Sequence, residues 1–281
     1  MRFGSPQLAL LVAGLAYSAS SSAQSEEPVD TADEREDFRD LRAGWTAGAG
    51  GGRAGINKVV VGLTDWLDLG IDVLPYFVGA PNGEVRMRLA DGKRWAVRAG
   101  VGVFRVDLER VGSLLQQDDW EGELFSVPIS VTAAYEAASG ILSAGIHYTL
   151  VSGAGSTGST GSTDASTVAD VSNLQLEGRW EVRIAAHAHF WLNGWVVVAS
   201  EGVVQTTTIV DLGDGVRADL VVVQEGDTTT GAGSATAGFR FVGGRTNLVL
   251  GLGYGNFAIP GLNLILEEPG LVPAAELFWR W

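Results

Sequence analysis

The sequence predicts an all-β fold: a transmembrane, antiparallel, up-and-down β-barrel of about 12 strands, with 10 or 14 as alternatives. Three observations predict it. Hydrophobic residues make up 46% of the 281 residues, yet no run beyond the N-terminal segment is long and apolar enough for a spanning helix. Apolar and polar side chains instead alternate with the period of a strand. In LQLEGRWEVRI, residues 174–184, one row reads Leu, Leu, Gly, Trp, Val, Ile and the other Gln175, Glu177, Arg179, Glu181, Arg183. Finally, every second connection between alternating segments is tight and the others are mostly longer. Outer-membrane barrels place short turns in the periplasm and longer loops outside in this way.

The chain opens MRFGSPQLALLVAGLAYSASSSAQS. Arg2, an apolar run from Leu8 to Ala16, and Ser21 and Ala23 ahead of a cleavage point give residues 1–23 the layout of a signal peptide. Residues 24–40 follow as an acidic periplasmic tail, containing EEPVDTADEREDFRD. Its composition is that of a solvated segment. Thr31 and Glu34 have the spacing of a capping box, so a short helix folding into the barrel mouth is the alternative.

Residues 41–281 form the barrel. The alternation places strands at 41–49, 56–64, 67–78, 83–90, 95–108, 123–137, 141–152, 173–191, 195–210, 231–243, 246–258 and 271–281. Tight turns fall at 65–66, 91–94, 138–140, 193–194 and 244–245, the fourth on an Asn-Gly pair, the strongest short hairpin signal. External loops fall at 109–122, 153–172, 211–230 and 259–270, with short ones at 50–55 and 79–82. The repeat GSTGSTGST, residues 155–163, reads as a flexible loop tip. The first strand is weak, and VRADLVVVQ, residues 216–224, could be more than a hairpin extension of the loop, which keeps 10 and 14 strands open. Trp66, Trp95, Trp191, Trp195, Trp279 and Trp281 lie near the tight-turn end, as an interfacial aromatic girdle requires, although parity turns some of them inward.

The last strand, LVPAAELFWRW, sets Leu271, Pro273, Ala275, Leu277, Trp279 and Trp281 in an outer row and Val272, Ala274, Glu276, Phe278 and Arg280 in an inner one. With its aromatic final residue it resembles the assembly signal of bacterial outer-membrane β-barrel proteins, carried here by Leu277, Trp279 and Trp281. The resemblance implies outer-membrane localisation, contact with outer-membrane lipid, and recognition by the barrel-assembly machinery. The segment VVVGLTDWLDLGIDV, residues 59–73, is similar to a hairpin of porin-like barrel families, some of them channels encoded near aromatic-degradation genes.

Charge on the lipid face is costly, about 2–4 kcal/mol for Arg or Lys at the midplane, so charges belong in the lumen. Parity assigns to it Glu84, Arg86, Arg88, Arg98, Glu136, Glu177, Arg179, Glu181, Arg183, Glu201, Arg240, Glu276 and Arg280. Neighbours about 5–7 Å apart on such a face can pair around the wall. The function this implies is a narrow, charge-lined passive channel for small hydrophilic solutes. A closed structural or surface-binding barrel is the alternative, with the loops 109–122, 153–172 and 211–230 as its binding surface.

Other chemistries fit less well. The chain has no cysteine and a net charge of −14, so thiol chemistry is absent and nucleic acid finds no basic footprint. His187 and His189 could share the inner face, but a metal needs further ligands, and no metal or cofactor is expected. A lipid hydrolase would need Ser and His facing the bilayer, whereas His147, near Ser126, Ser130 and Ser143, points inward by parity; no enzyme is expected. GLGYGNF, residues 251–257, and GAGGGRAG, residues 48–55, do not open a helix after a parallel strand and so are not phosphate loops. Gly251, Gly253 and Gly255 would instead leave room for bulky lumen side chains or for the acidic tail.

Overall fold

The computed structural model describes residues 46–77, 79–110, 120–137, 140–157, 163–211, 217–226, 229–258 and 268–281. The segments read as a signal peptide and an acidic tail, residues 1–40, and the tip of the Gly-Ser-Thr repeat lie outside these. The strands are β1 Gly52–Gly55, β2 Lys58–Thr64, β3 Leu67–Asp72, β4 Asn82–Asp91, β5 Trp95–Asp107, β6 Trp120–Glu136, β7 Gly140–Thr157, β8 Thr163–Ala185, β9 Ala188–Asp211, β10 Arg217–Gly226, β11 Gly233–Gly243, β12 Thr246–Gly255 and β13 Gly270–Arg280. Each of β1 to β9 pairs antiparallel with the next, β9 pairs with β11, and β13 returns to β1. Twelve strands therefore close a ring, and closure leaves no unpaired edge inside the membrane.

The ring inverts the usual order of burial. Asp68, Ser126, Thr149, Arg240 and Asn247 are 0% exposed, whereas Val101, Phe239, Leu250 and Leu252 are 45–57% exposed. On β4 the split follows single residues: Val85, Met87 and Leu89 are exposed, while Glu84, Arg86 and Arg88 turn inward. In water each exposed large apolar side chain forfeits about 1.5–3 kcal/mol of burial. Hydrocarbon removes that cost, and the inner polar groups keep their hydrogen bonds. The outer face of β8 is apolar from Ile184 to Leu174 and then turns polar at Ser172 and Asp170. About ten tilted strand residues match the apolar band of an outer-membrane barrel. No helix among the described residues is long and apolar enough to cross a membrane.

At one rim Trp66, Trp95, Tyr135, Trp279 and Trp281 are 43–57% exposed. They sit beside the turns at 65–66, 92–94 and 244–245 and beside the C-terminus, where an indole or phenol bridges the apolar band and water. Trp191 and Trp195 belong to the inner row, and Trp191 is 3% exposed. The final strand alternates as its sequence demands: Phe278 and Arg280 are buried and Leu277, Trp279 and Trp281 exposed. Gly244 takes a φ of 59° in the Gly244–Arg245 turn, the left-handed conformation of tight hairpins.

Four departures from the sequence reading have physical causes. The first strand of the ring is Gly52–Gly55, not 41–49; residues 46–51 make no strand, and 41–45 lie outside the described residues. The Gly-rich stretch assigned to a loop supplies that strand because Arg53 and Ala54 find ladder partners in both β13 and β2. Next, β3 ends at Asp72 and the helix α1, Val73–Phe77, follows. There Asn82 replaces the ladder, its Nδ2 donating to the Asp72 carbonyl at 2.8 Å and its Oδ1 accepting from the Asp72 amide at 2.6 Å.

The turn after β8 lies at Ala186–His187 rather than Asn193–Gly194. Asn193 and Gly194 are mid-strand, opposite Arg179 and Gly178 on one side and Thr236 and Ala235 on the other. Pairing on both sides outweighs the local turn preference. The strands β7, β8 and β9 also continue past the apolar band into what reads as loop, pairing as far as Thr157–Ala165 and Thr163–Val210. Beyond that band β10 pairs with Gly202–Asp211 of β9, so the apolar run 220–223 is the hairpin extension that a 12-strand ring requires and not a further strand of the ring.

Candidate functional site

The inner rows of the ring are the candidate site, and the ladder registers set which charges meet. One cluster sits where β8, β9 and β11 adjoin. Arg240 stands opposite His189, and Arg183 stands opposite His189 from the other side. The Glu181 carboxylate lies 2.8 Å from Arg240, 3.0 Å from Arg179 and 3.1 Å from His189 Nδ1. Arg240 Nη2 is also 3.1 Å from that same Nδ1. A ring nitrogen serves one role at a time: protonated, it donates to Glu181; bare, it accepts from Arg240. Glu181, His189 and Arg240 are all at most 3% exposed. Arg179 also stacks over Trp191, its guanidinium carbon 5.2 Å from the ring centroid.

A second group runs from β13 through β1 to β4. Arg53 pairs with Glu276 and lies 4.5 Å above the Phe278 ring. Lys58 reaches Glu84 at 2.6 Å and Asp72 at 3.6 Å, and Arg86 reaches Asp68 at 3.0 Å. Asp68 in addition accepts from the Ala47 amide at 3.0 Å, which ties the segment before β1 to the wall. Arg88 turns toward Asp91 at the rim, 3.3 Å away.

Between Arg98 on β5 and the charged row of β8 the wall is more sparsely charged. Its inner residues are small: Gly100, Ser130, Thr132, Ser143 and Gly145, with His147 and Glu177 beyond them. His147 Nε2 lies 3.0 Å from Glu177, and Asn193, with its amide turned to donate, reaches Glu177 at 3.1 Å. Glu177 and Arg179 keep 38% and 33% of their side-chain surface exposed.

Glycines shape the lumen by letting side chains lie flat. A Cβ on Gly70 would come within 3.3 Å of Glu84 and 3.5 Å of Lys58; one on Gly145 would come within 2.9 Å of His147 Nε2. On Gly251 it would meet Trp191 at 2.5 Å, the room for a bulky lumen residue that the glycine spacing suggests. Charged groups thus fold against the wall and away from the axis. Apolar clusters complete the lining: Trp191, Val249 and Phe278 on one side, and Phe104 and Val106 with Ala80 toward the outer end of β5.

Of the residues assigned to the lumen by parity, Glu84, Arg86, Arg88, Arg98, Glu136, Glu177, Arg179, Glu181, Arg183, Arg240, Glu276 and Arg280 face inward. Glu201 does not. Leu174 pairs with Ala199 and Gln175 with Val197, leaving Val198 as an extra residue that reverses the faces above it. Ser200 is consequently buried, and Glu201 is exposed in the row of Val203. His187 lies exposed in the turn while His189 is buried, so the two do not form a ligand pair. No cluster of potential metal ligands occurs among the described residues. Arg53, Lys58, Asp68 and Asp72 also line the lumen. Asp68 and Asp72 were visible as alternate residues of LDLGID, whereas Arg53 was hidden in a Gly-rich run that carries no strand pattern.

The sequence matches no protein-family model and no curated protein. Among solved structures it is similar to OmpT of Vibrio cholerae, in a trimer form, at 14% identity and a TM-score of 0.36, covering 80% of this chain and 64% of that one. It is also similar to the translocator domain of the autotransporter NalP from Neisseria meningitidis, at 12% identity and a TM-score of 0.32, covering 82% and 86%. The CdiB protein of Acinetobacter baumannii aligns at 9% identity and a TM-score of 0.29, covering 82% and 59%.

Proposed function

We propose that the chain is a narrow, charge-lined passive channel for small hydrophilic solutes in the bacterial outer membrane. The observation that carries this reading is the arrangement of the lumen. Ion pairs and glycines hold the charged side chains against the wall, and Glu177 and Arg179 remain about one-third exposed. A ring of this strand number lies between barrels filled by side chains and wide aqueous pores, so small solutes alone would fit. Selection by charge follows when a solute must pass rings of fixed charge at close range.

A closed barrel is the second reading, favoured by the complete burial of Arg240 and the near-complete burial of Glu181. Single-channel recording in planar bilayers separates the two. Steps of small, uniform conductance are expected; a protein that inserts yet stays silent at every voltage and salt concentration would leave the closed barrel.

A further inference from the structure

The lumen charges are not evenly committed. Asp68 is engaged by Arg86, Glu84 by Lys58, Glu276 by Arg53 and Glu181 by Arg240 and Arg179. Arg98, on β5, is different. Its Nε is buried with no partner, and among the described residues no hydrogen bond or ion pair reaches its guanidinium. Its ladder neighbours are Arg88 on β4 and Thr132 on β6, so no carboxylate stands directly opposite it on either side. Arg88 itself turns to Asp91 at the rim, so the residue opposite Arg98 supplies it no counter-charge. The other charges acting on Arg98 are those of Arg86, Glu84, Asp68 and Glu177, each already held by a partner.

We propose that Arg98 is the anion-recognition station of the lumen and makes the channel prefer small oxyanions, carboxylates above all, over cations. The guanidinium presents a planar fork of N–H donors that matches a carboxylate's two oxygens. Among the described residues no hydrogen bond or ion pair occupies those donors, which leaves them to a passing anion. Thr132 and Ser130 on the adjacent strand offer hydroxyl donors beside it. The chain as a whole carries a net charge of −14, so this preference would run against its overall charge.

This inference rests on the channel reading, and the test separates the two. Reversal potentials are measured for the full barrel in planar bilayers under a gradient of potassium chloride, then with formate replacing chloride on one side. The wild type is expected to favour the anion in both. Arg98→Gln should lower anion permeability about fivefold, the effect of one unit charge at about 4 Å in a water-like medium, and the anion-to-cation permeability ratio by at least as much. Arg98→Lys should keep most of the chloride preference and lose part of the formate preference. Should Arg98→Gln fail to assemble, Glu177→Gln supplies the opposite test, because removing that carboxylate should raise the ratio. A wild-type channel with cation preference, or ratios unmoved by these substitutions, overturns the inference and leaves the channel reading standing. A wild-type barrel that never conducts overturns both.

Discussion

Two stretches of lumen wall use the same residue types to opposite ends. Where β8, β9 and β11 meet, Glu181, Arg240 and His189 are sealed from water and bonded to one another. Where β4, β5 and β6 meet, Arg98 faces Arg88 and Thr132 and bonds to neither. The contrast teaches that a charged lumen residue can serve in two ways. With a counter-charge in reach it holds the barrel wall, as Glu181 does by reaching across β9 to Arg240; without one it remains available to a solute. Placement across the strands decides between them, and residue type does not.

The sharpest way to break this contrast is Glu181→Ala. It strips Arg240 of its counter-charge in a buried setting, so a loss of about 3–5 kcal/mol is expected, read as a lower unfolding midpoint in denaturant. Replacing Glu181 and Arg240 together by leucine should recover most of that loss, because the buried charge goes with its partner and Arg179, which also loses Glu181, is one-third exposed. Next in size is Val101→Arg on the lipid face of β5, where Val101 and Val103 are both exposed. It should cost about 2–4 kcal/mol, measured as the same midpoint shift in lipid vesicles. A cost near zero there would mean that water, not hydrocarbon, covers this row.

Smaller still is Arg98→Gln, which removes no bonded partner. Its stability should stay within about 0.5 kcal/mol of the parent while ion preference shifts. A large loss of stability would place Arg98 with the sealed cluster. Smallest is Arg105→Ala. Arg105 pairs with Glu123 on the exposed outer end of β5 and β6, and solvent screening makes such pairs weak, so neither stability nor conductance should change measurably.

Much of this was legible in the sequence. Strict alternation gave the terminal strand residue by residue, since Leu277, Trp279 and Trp281 face out and Phe278 and Arg280 face in. It also placed the inner rows of β4, β8 and β11. What was hidden depended on pairing between strands. The Asn193–Gly194 turn is locally sound but is overruled by ladders on both of its sides. The single extra residue Val198 turns Glu201 to the outer face, and no residue near it signals a bulge. Arg53 sits in a stretch too rich in glycine to alternate, and β13 supplies the partner that makes it a strand. Which charges pair is likewise a property of register, so the isolation of Arg98 could not be read from its neighbours in sequence.

The central claim is that water touches the charged rows of this wall and hydrocarbon touches the apolar rows. The chain has no cysteine, so single cysteines can be placed one at a time at Leu176, Glu177, Arg179 and Trp180 of β8. In vesicles, a charged, membrane-impermeant thiol reagent should modify positions 177 and 179 and spare 176 and 180. Equal reaction at all four, or reaction at 176 and 180 alone, would contradict the account.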